Sequence, residues 1–126
     1  MRIGIIADPL THPDWPAIER LLEPAAKRGG VPVWEPMFAL WAVYEDGLIA
    51  AATARLTADG HGEVVLLGGK GFARWGAALD SAICGAMKQA GMRAVQVHGR
   101  KGWARIFRNY RIIGQRDGIM SYERSL

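Results

Sequence analysis

The chain has 126 residues, half of them apolar, enough for one domain with its own core over residues 1–126. No apolar run is long enough to span a bilayer, and the single cysteine, Cys84, excludes an internal disulfide and fits a reducing, cytoplasmic compartment. The net charge of +4 is modest but uneven. Seven basic residues and no acidic one fall between Arg93 and Arg116, which suits a cofactor phosphate, a nucleic acid or an acidic partner surface, or else a solvated helix face.

Residues 2–7 read as an opening strand, broken by Asp8 and Pro9, and are too short an apolar run for a secretory leader. Asp14 stands as an N-cap with Pro16 in the turn that follows, and Trp15, Ile18, Leu21, Leu22 and Ala25 recur at helical spacing. Pro24 should kink this helix or split it in two. Lys27 and Arg28 followed by Gly29 and Gly30 mark its end.

Residues 37–44 are nearly all apolar, as in a strand covered on both faces, and Asp46-Gly47 is a hairpin signal. The return strand is 48–56, followed by a turn through Asp59, Gly60 and His61 into a third antiparallel strand over 63–67. A glycine-rich turn over 68–74 leads to a helix over 75–90, stopped by Gly91, and a strand over 94–98. On that helix Leu79, Ala82, Ile83, Ala86, Met87 and Ala90 form an apolar stripe that makes Cys84 a small core residue. A strand, crossover helix and strand of this length predict a parallel pair. A short basic helix over 101–109 and two strands, 112–115 and 119–123, around Asp117-Gly118 close the chain.

The order is therefore a mixed α+β fold: a mainly antiparallel sheet with helices on both faces. The turn after the 63–67 strand is cationic, rich in unshielded backbone N–H groups and placed at the positive end of a helix. That combination holds phosphate or pyrophosphate, so a ligand is expected at the carboxyl end of this strand. The glycine spacing fits neither a Walker A loop nor a dinucleotide fingerprint. Three scattered histidines and one cysteine show no metal-ligand spacing, so no metal site is expected.

The run Gly62-Glu63-Val64-Val65-Leu66-Leu67, the turn to Gly76 and the helix start Ala77-Ala78-Leu79-Asp80 resemble the GNAT superfamily of N-acyltransferases, as does the tail from Gly102 to Ile112. The resemblance covers nearly the whole chain. It implies that the fourth strand and the strand after the helix splay apart, and that the pantetheine arm of acetyl-CoA pairs with the fourth strand like an added strand. The cofactor contacts it implies are Leu66, Leu67, Gly68, Lys70, Gly71, Arg74, Trp75 and Gly76. It departs from the family at three points. Only Gly76 fits the family's loop pattern, Gly71 and Arg74 standing at the other two marked positions. Phe107 occupies the place of the tyrosine that protonates the leaving thiolate, with Tyr110 as the nearest substitute. Arg111-Ile112 replaces the closing glycine-aromatic pair.

Acyl transfer to an amine needs a base, a polarised carbonyl and a stabilised thiolate. Glu63 is the first candidate base and His61 the second, with His98 and Glu35 as substrate contacts; each also reads as a plain turn, packing or strand-entry residue. Backbone N–H groups near Leu67 would polarise the carbonyl. Trp34, Trp41, Trp75 and Trp103 read mainly as core, Trp75 alone lying in the ligand turn. Three functions compete: an acetyl-CoA-dependent N-acyltransferase with an unidentified amine acceptor; a catalytically silent GNAT-fold structural or partner-binding protein, as in phage-encoded chains with a similar ending, in the host cytoplasm or the virion; and a nucleic-acid binder using the 93–116 segment, with Trp103 or Tyr110 stacking on bases. The 37–56 hairpin and the last two strands are candidate homo-oligomer contacts.

Overall fold

The computed structural model describes residues 1–99 and 109–126. The expected helix over 101–109, with Trp103 and Phe107 and the cations Arg100, Lys101, Arg105 and Arg108, lies outside the described residues apart from Asn109. The elements are β1 (Arg2–Ile6), a 3-10 turn (Pro9–Thr11), α1 (Trp15–Gly29), β2 (Ala39–Tyr44), β3 (Leu48–Leu56), β4 (His61–Gly69), α2 (Phe72–Gln89), β5 (Ala94–Gly99), β6 (Arg111–Arg116) and β7 (Ile119–Ser125). The strands form one sheet in the order β1-β2-β3-β4-β5-β7-β6. Every neighbouring pair is antiparallel except β4 and β5, which α2 joins in parallel. The mixed α+β architecture expected from the sequence is the one observed. No helix among the described residues is long and apolar enough to cross a membrane.

The two helices cover opposite faces. On one, Ile18, Leu22 and Ala26 of α1 pack on Leu40, Ala51 and Leu66. On the other, Trp75, Leu79, Ile83, Cys84 and Met87 of α2 pack on Trp41, Val43, Ala50, Ala52, Val95 and Val97. The alternation Leu40, Trp41, Val43 explains why β2 is apolar throughout: it feeds both cores. The small residues of β3 let β2 and β4 sit under the same helices without crowding; Ala50, Ala51, Ala52 and Ala54 are fully buried.

Of the two outcomes expected at Pro24, the split does not occur: Pro24 lies inside one continuous helix. Pro24 and Arg20, whose carbonyl loses its intrahelical partner, both face solvent, while Ile18, Leu22 and Ala26 anchor the buried stripe on either side. Asp14 takes the N-cap position without capping: its carboxylate accepts from the Tyr44 hydroxyl of β2 at 2.8 Å, tying the start of α1 to the sheet. Gly30 ends the helix in the left-handed conformation, as its sequence signal implies.

The glycine turn is much shorter than its sequence suggests. β4 runs on to Gly69 and α2 begins at Phe72, so only Lys70 and Gly71 connect them. Gly71 adopts φ 74° at the helix N-cap, a conformation that costs other residues about 1–2 kcal/mol. Phe72 and Trp75 close the entry with rings edge-on at 4.8 Å, and Trp75 Nε1 donates to the Lys70 carbonyl at 2.7 Å. Space requires glycine at neighbouring positions too, Gly69 against the Ile49 carbonyl among them. A Cβ on Gly68 would overlap the Leu21 carbonyl of α1, and one on Gly76 would overlap the Phe72 ring.

A buried polar cluster fastens the C-terminal hairpin to α2. Asp80 accepts from the Tyr110 hydroxyl at 2.6 Å, from the Cys84 thiol at 3.6 Å and from the Arg124 guanidinium. Burial raises the Cys84 thiol pKa, with the Asp80 charge adding to the shift.

Gly68→Ala should lower stability by about 1–3 kcal/mol in urea unfolding, because the overlap is with helix backbone that cannot rotate away. A cost near zero would mean that α1 sits further from β4. Asp80→Ala should cost about 2–3 kcal/mol, since it leaves Arg124 and the Tyr110 hydroxyl without their shared acceptor. Unchanged unfolding would show that the hairpin is held elsewhere.

Candidate active site

β4 and β5 are paired over only four positions, His61↔Ala94 to Val64↔Val97. Beyond that point they part. β4 continues along β3 as far as Gly69, opposite Ala50, and β5 continues along β7 as far as Gly99, opposite Met120. Val65 is the extra residue of a β-bulge: Thr53 pairs with Leu66 and Ala54 with Val64. A bulge bends and twists its strand, here just where β4 leaves β5. Residues 65–69 therefore have no strand partner on the β5 side among the described residues. Backbone groups alternate across a strand, so roughly half of their amides and carbonyls face the gap.

The N-terminus of α2 stands at the mouth of this fork, two residues from the end of β4. No side chain caps it. The first backbone N–H groups of a helix have no intrahelical acceptor and carry the positive end of its dipole. Lys70 is exposed beside them. Gly71, where an added Cβ would meet nothing, leaves the approach to this backbone open after Lys70.

The sequence candidates divide accordingly. Leu66 turns its side chain into the α1 core and Leu67 turns toward α2, so both offer only backbone to the gap. Gly68, Lys70 and Gly71 join them there. Arg74 is on the rim, in the first turn of α2, with its guanidinium paired to Glu45 of the β2–β3 turn. Trp75 does not line the approach: it is 1% exposed, its ring belongs to the α2 core and its N–H is spent on Lys70. Gly76 is buried beneath Phe72. α2 starts at Phe72, one turn before the expected 75, which carries Trp75 and Gly76 into the helix packing and away from the ligand turn.

Glu63 lies on the α1 side of the sheet, one residue before the strands part, accepting from Arg55 Nη2 at 3.2 Å. It belongs to a polar rung crossing five strands: Arg55, Glu63, Gln96, Glu123 and Arg111 are successive register partners. Gln96 Nε2 and Arg111 Nη2 each donate to Glu123 at 2.9 Å, and these bonds hold the Glu123 carboxyl below the usual carboxylate range. One pleat further along β5, His98 Nδ1 and Ser121 Oγ are 2.8 Å apart. His61, expected in the turn, instead opens β4, with Nδ1 3.2 Å from Thr57 Oγ1 across the β3–β4 turn. Glu35 sits in the turn before β2, its carbonyl accepting from Phe38 N–H. Arg55, Gln96, Ser121, Glu123 and Glu45 were not anticipated. Strand alternation opposite Glu63 would have found Arg55, but the pairing of β5 with β7 is not written in either segment.

Tyr110 is on the other face. Its hydroxyl proton goes to Asp80, and burial together with that bond raises its pKa far above the usual phenol range. Arg111 aligns through Glu123 and Gln96 with Glu63, so Tyr110 sits beside the closed part of the sheet, under α2. A role for it at the fork, alongside Glu63, does not fit this placement. Of the basic 93–116 segment, two described guanidiniums are engaged in the fold, Arg93 on the Asp59 carbonyl and Arg111 on Glu123.

No protein-family model matches the sequence, and no curated protein matches it. Solved structures do match the fold. An IAA acetyltransferase from Bacillus cereus superposes with a TM-score of 0.74 at 14% identity over 99% of each chain. A Bacillus subtilis acetyltransferase, solved in complex with CoA, gives 0.75 at 13% identity over 99% of this chain and 98% of that one. A GNAT family acetyltransferase from Elizabethkingia anophelis, solved with acetyl-CoA bound, gives 0.71 at 11% identity over 99% and 97%. Likeness at such identities is likeness of fold, and the fold of this chain is GNAT-like.

Proposed function

We propose that the chain is an N-acyltransferase that takes its acyl group from a CoA thioester and passes it to an amine. The observation that carries this reading is the fork: an unpaired edge over residues 65–69 that ends at an uncapped, glycine-flanked helix N-terminus. The edge suits an extended amide-containing chain added as a strand, and the helix start suits a pyrophosphate. CoA joins those two pieces in one molecule, and neighbours of this fold were solved with CoA and acetyl-CoA.

A bound thioester would supply the carbonyl carbon that the amine attacks, a C–N bond forming as the C–S bond breaks. The chain's own groups then have definable tasks. Backbone N–H groups at the bulge, around Val65 to Leu67, hold the carbonyl oxygen as charge develops on it. Glu63 takes the proton released by the amine, directly or through one water, with Arg55 holding its carboxylate in place. Tyr110 plays no part in reprotonating the thiolate, which takes its proton from solvent. The first N–H groups of α2, with Lys70 beside them, would hold the phosphates.

Acetyl-CoA titrated into the protein by calorimetry should bind in the micromolar range, and Arg74→Glu should weaken it by about tenfold or more, since it puts a carboxylate at the helix start. No binding at millimolar acetyl-CoA would overturn the proposal and leave a GNAT-shaped partner-binding module, of the kind found in virions. With an amine panel as acceptors, Glu63→Gln should lower kcat by about 10²-fold while leaving acetyl-CoA affinity unchanged. Tyr110→Phe should reduce stability but not kcat. A reversed pattern would move the proton chemistry to the α2 face.

A further inference from the structure

The cation best placed to meet a phosphate at the mouth of the fork is already occupied. Arg74 lies in the first turn of α2, three residues past the N-cap Gly71, with its side chain 69% exposed. Its guanidinium is paired with Glu45, 32% exposed, from the tight turn between β2 and β3. The sheet register brings them together: Ala50 pairs with Gly69, so the β2–β3 turn projects past the end of β4, alongside Lys70 and Gly71. Asp46 and Gly47 both take positive φ in that turn, which fixes the direction in which Glu45 leaves the hairpin. Glu45 makes no other side-chain hydrogen bond or ion pair among the described residues, and nothing in the core depends on it.

We propose that Glu45 is a gate on Arg74: it holds the guanidinium in the ligand-free protein and yields it to the phosphate of an incoming nucleotide cofactor. The β2–β3 turn thereby sets how tightly the fork takes a phosphorylated ligand. This rests on the CoA reading and adds to it a residue that works against binding. Three physical points support it. An exposed ion pair is worth little, so releasing Arg74 is cheap. A guanidinium facing a phosphate forms a bidentate, charge-assisted pair, reinforced here by the helix dipole. A carboxylate left beside that phosphate would repel it, so the exchange of partners must move Glu45 aside.

The test is a double-mutant cycle read by calorimetry, with CoA and, separately, inorganic pyrophosphate as probes, on the wild type, Glu45→Gln, Arg74→Ala and the double variant. Glu45→Gln should bind about two- to fivefold more tightly than wild type, and this gain should largely vanish in the Arg74→Ala background. Binding of CoA by wild type with no gain in Glu45→Gln, or with the same gain whether or not Arg74 is present, would overturn the gate and leave the CoA reading standing. The expected cycle with pyrophosphate, but no binding of CoA, would support the gate and sink the CoA reading. Failure of both probes on all four proteins would overturn both.

Discussion

β4 and β5 start as parallel neighbours and each finishes with a different partner. That single change of partner creates the fork on which the proposed site rests. It is made possible because β4 has β3 on its other side and β5 has β7, so each arm stays hydrogen-bonded along one edge after Val64 and Val97. The cost of separation is confined to the inner edges, and it is smaller for parallel bonds than for antiparallel ones. The bulge at Val65 adds local twist to β4, and the Gly99↔Met120 pairing holds β5 on the other course. A chain that pairs these strands to their ends would have a better sheet and no cleft.

Because the gap is bounded by strand edge and helix terminus, most of its chemistry comes from backbone. This changes what the departures from the family loop pattern mean. Arg74 at a position where the family has glycine does not remove an N–H group. Its side chain stays on the rim, paired with Glu45. The glycines around the fork that cannot be exchanged are governed by packing, Gly68 against Leu21, Gly69 against Ile49 and Gly76 against Phe72, or by backbone conformation, as in the left-handed Gly71 at the helix start. Motif matching weighs side chains, whereas this arrangement is set by how closely α1, β4 and α2 approach one another.

The sequence reading succeeded where local pattern and burial agree. Trp41 beside Leu40, Asp46-Gly47, the apolar stripe of α2 and the Gly30 stop all lie where period, turn chemistry and helix ends point. It failed where tertiary contacts override local signals. The helix begins at Phe72 because the Phe72–Trp75 pair and the Trp75–Lys70 bond stabilise an extra turn that the glycines alone would not favour. The position of Tyr110 depends on Asp80, thirty residues earlier in the chain, and no spacing rule reports such a contact. The polar rung from Arg55 to Arg111 is likewise a product of register across five strands.

The two faces of the sheet are unlike in a way that bears on proton traffic. Under α2, buried Cys84 lies with half-buried Asp80 and Tyr110, and burial raises the pKa of the Cys84 thiol and the Tyr110 hydroxyl. Those two groups hold their protons and serve packing. On the α1 side, Glu63, Gln96, Glu123, His98 and Ser121 form a hydrogen-bonded surface that begins where the strands part. The bulge contributes here as well, since Val65 and Leu66, consecutive residues, both turn toward α1, leaving Glu63 as the last acidic side chain before the free edge of β4. In the proposed reaction the base Glu63 lies on this face, so an acceptor amine would approach from the side of α1.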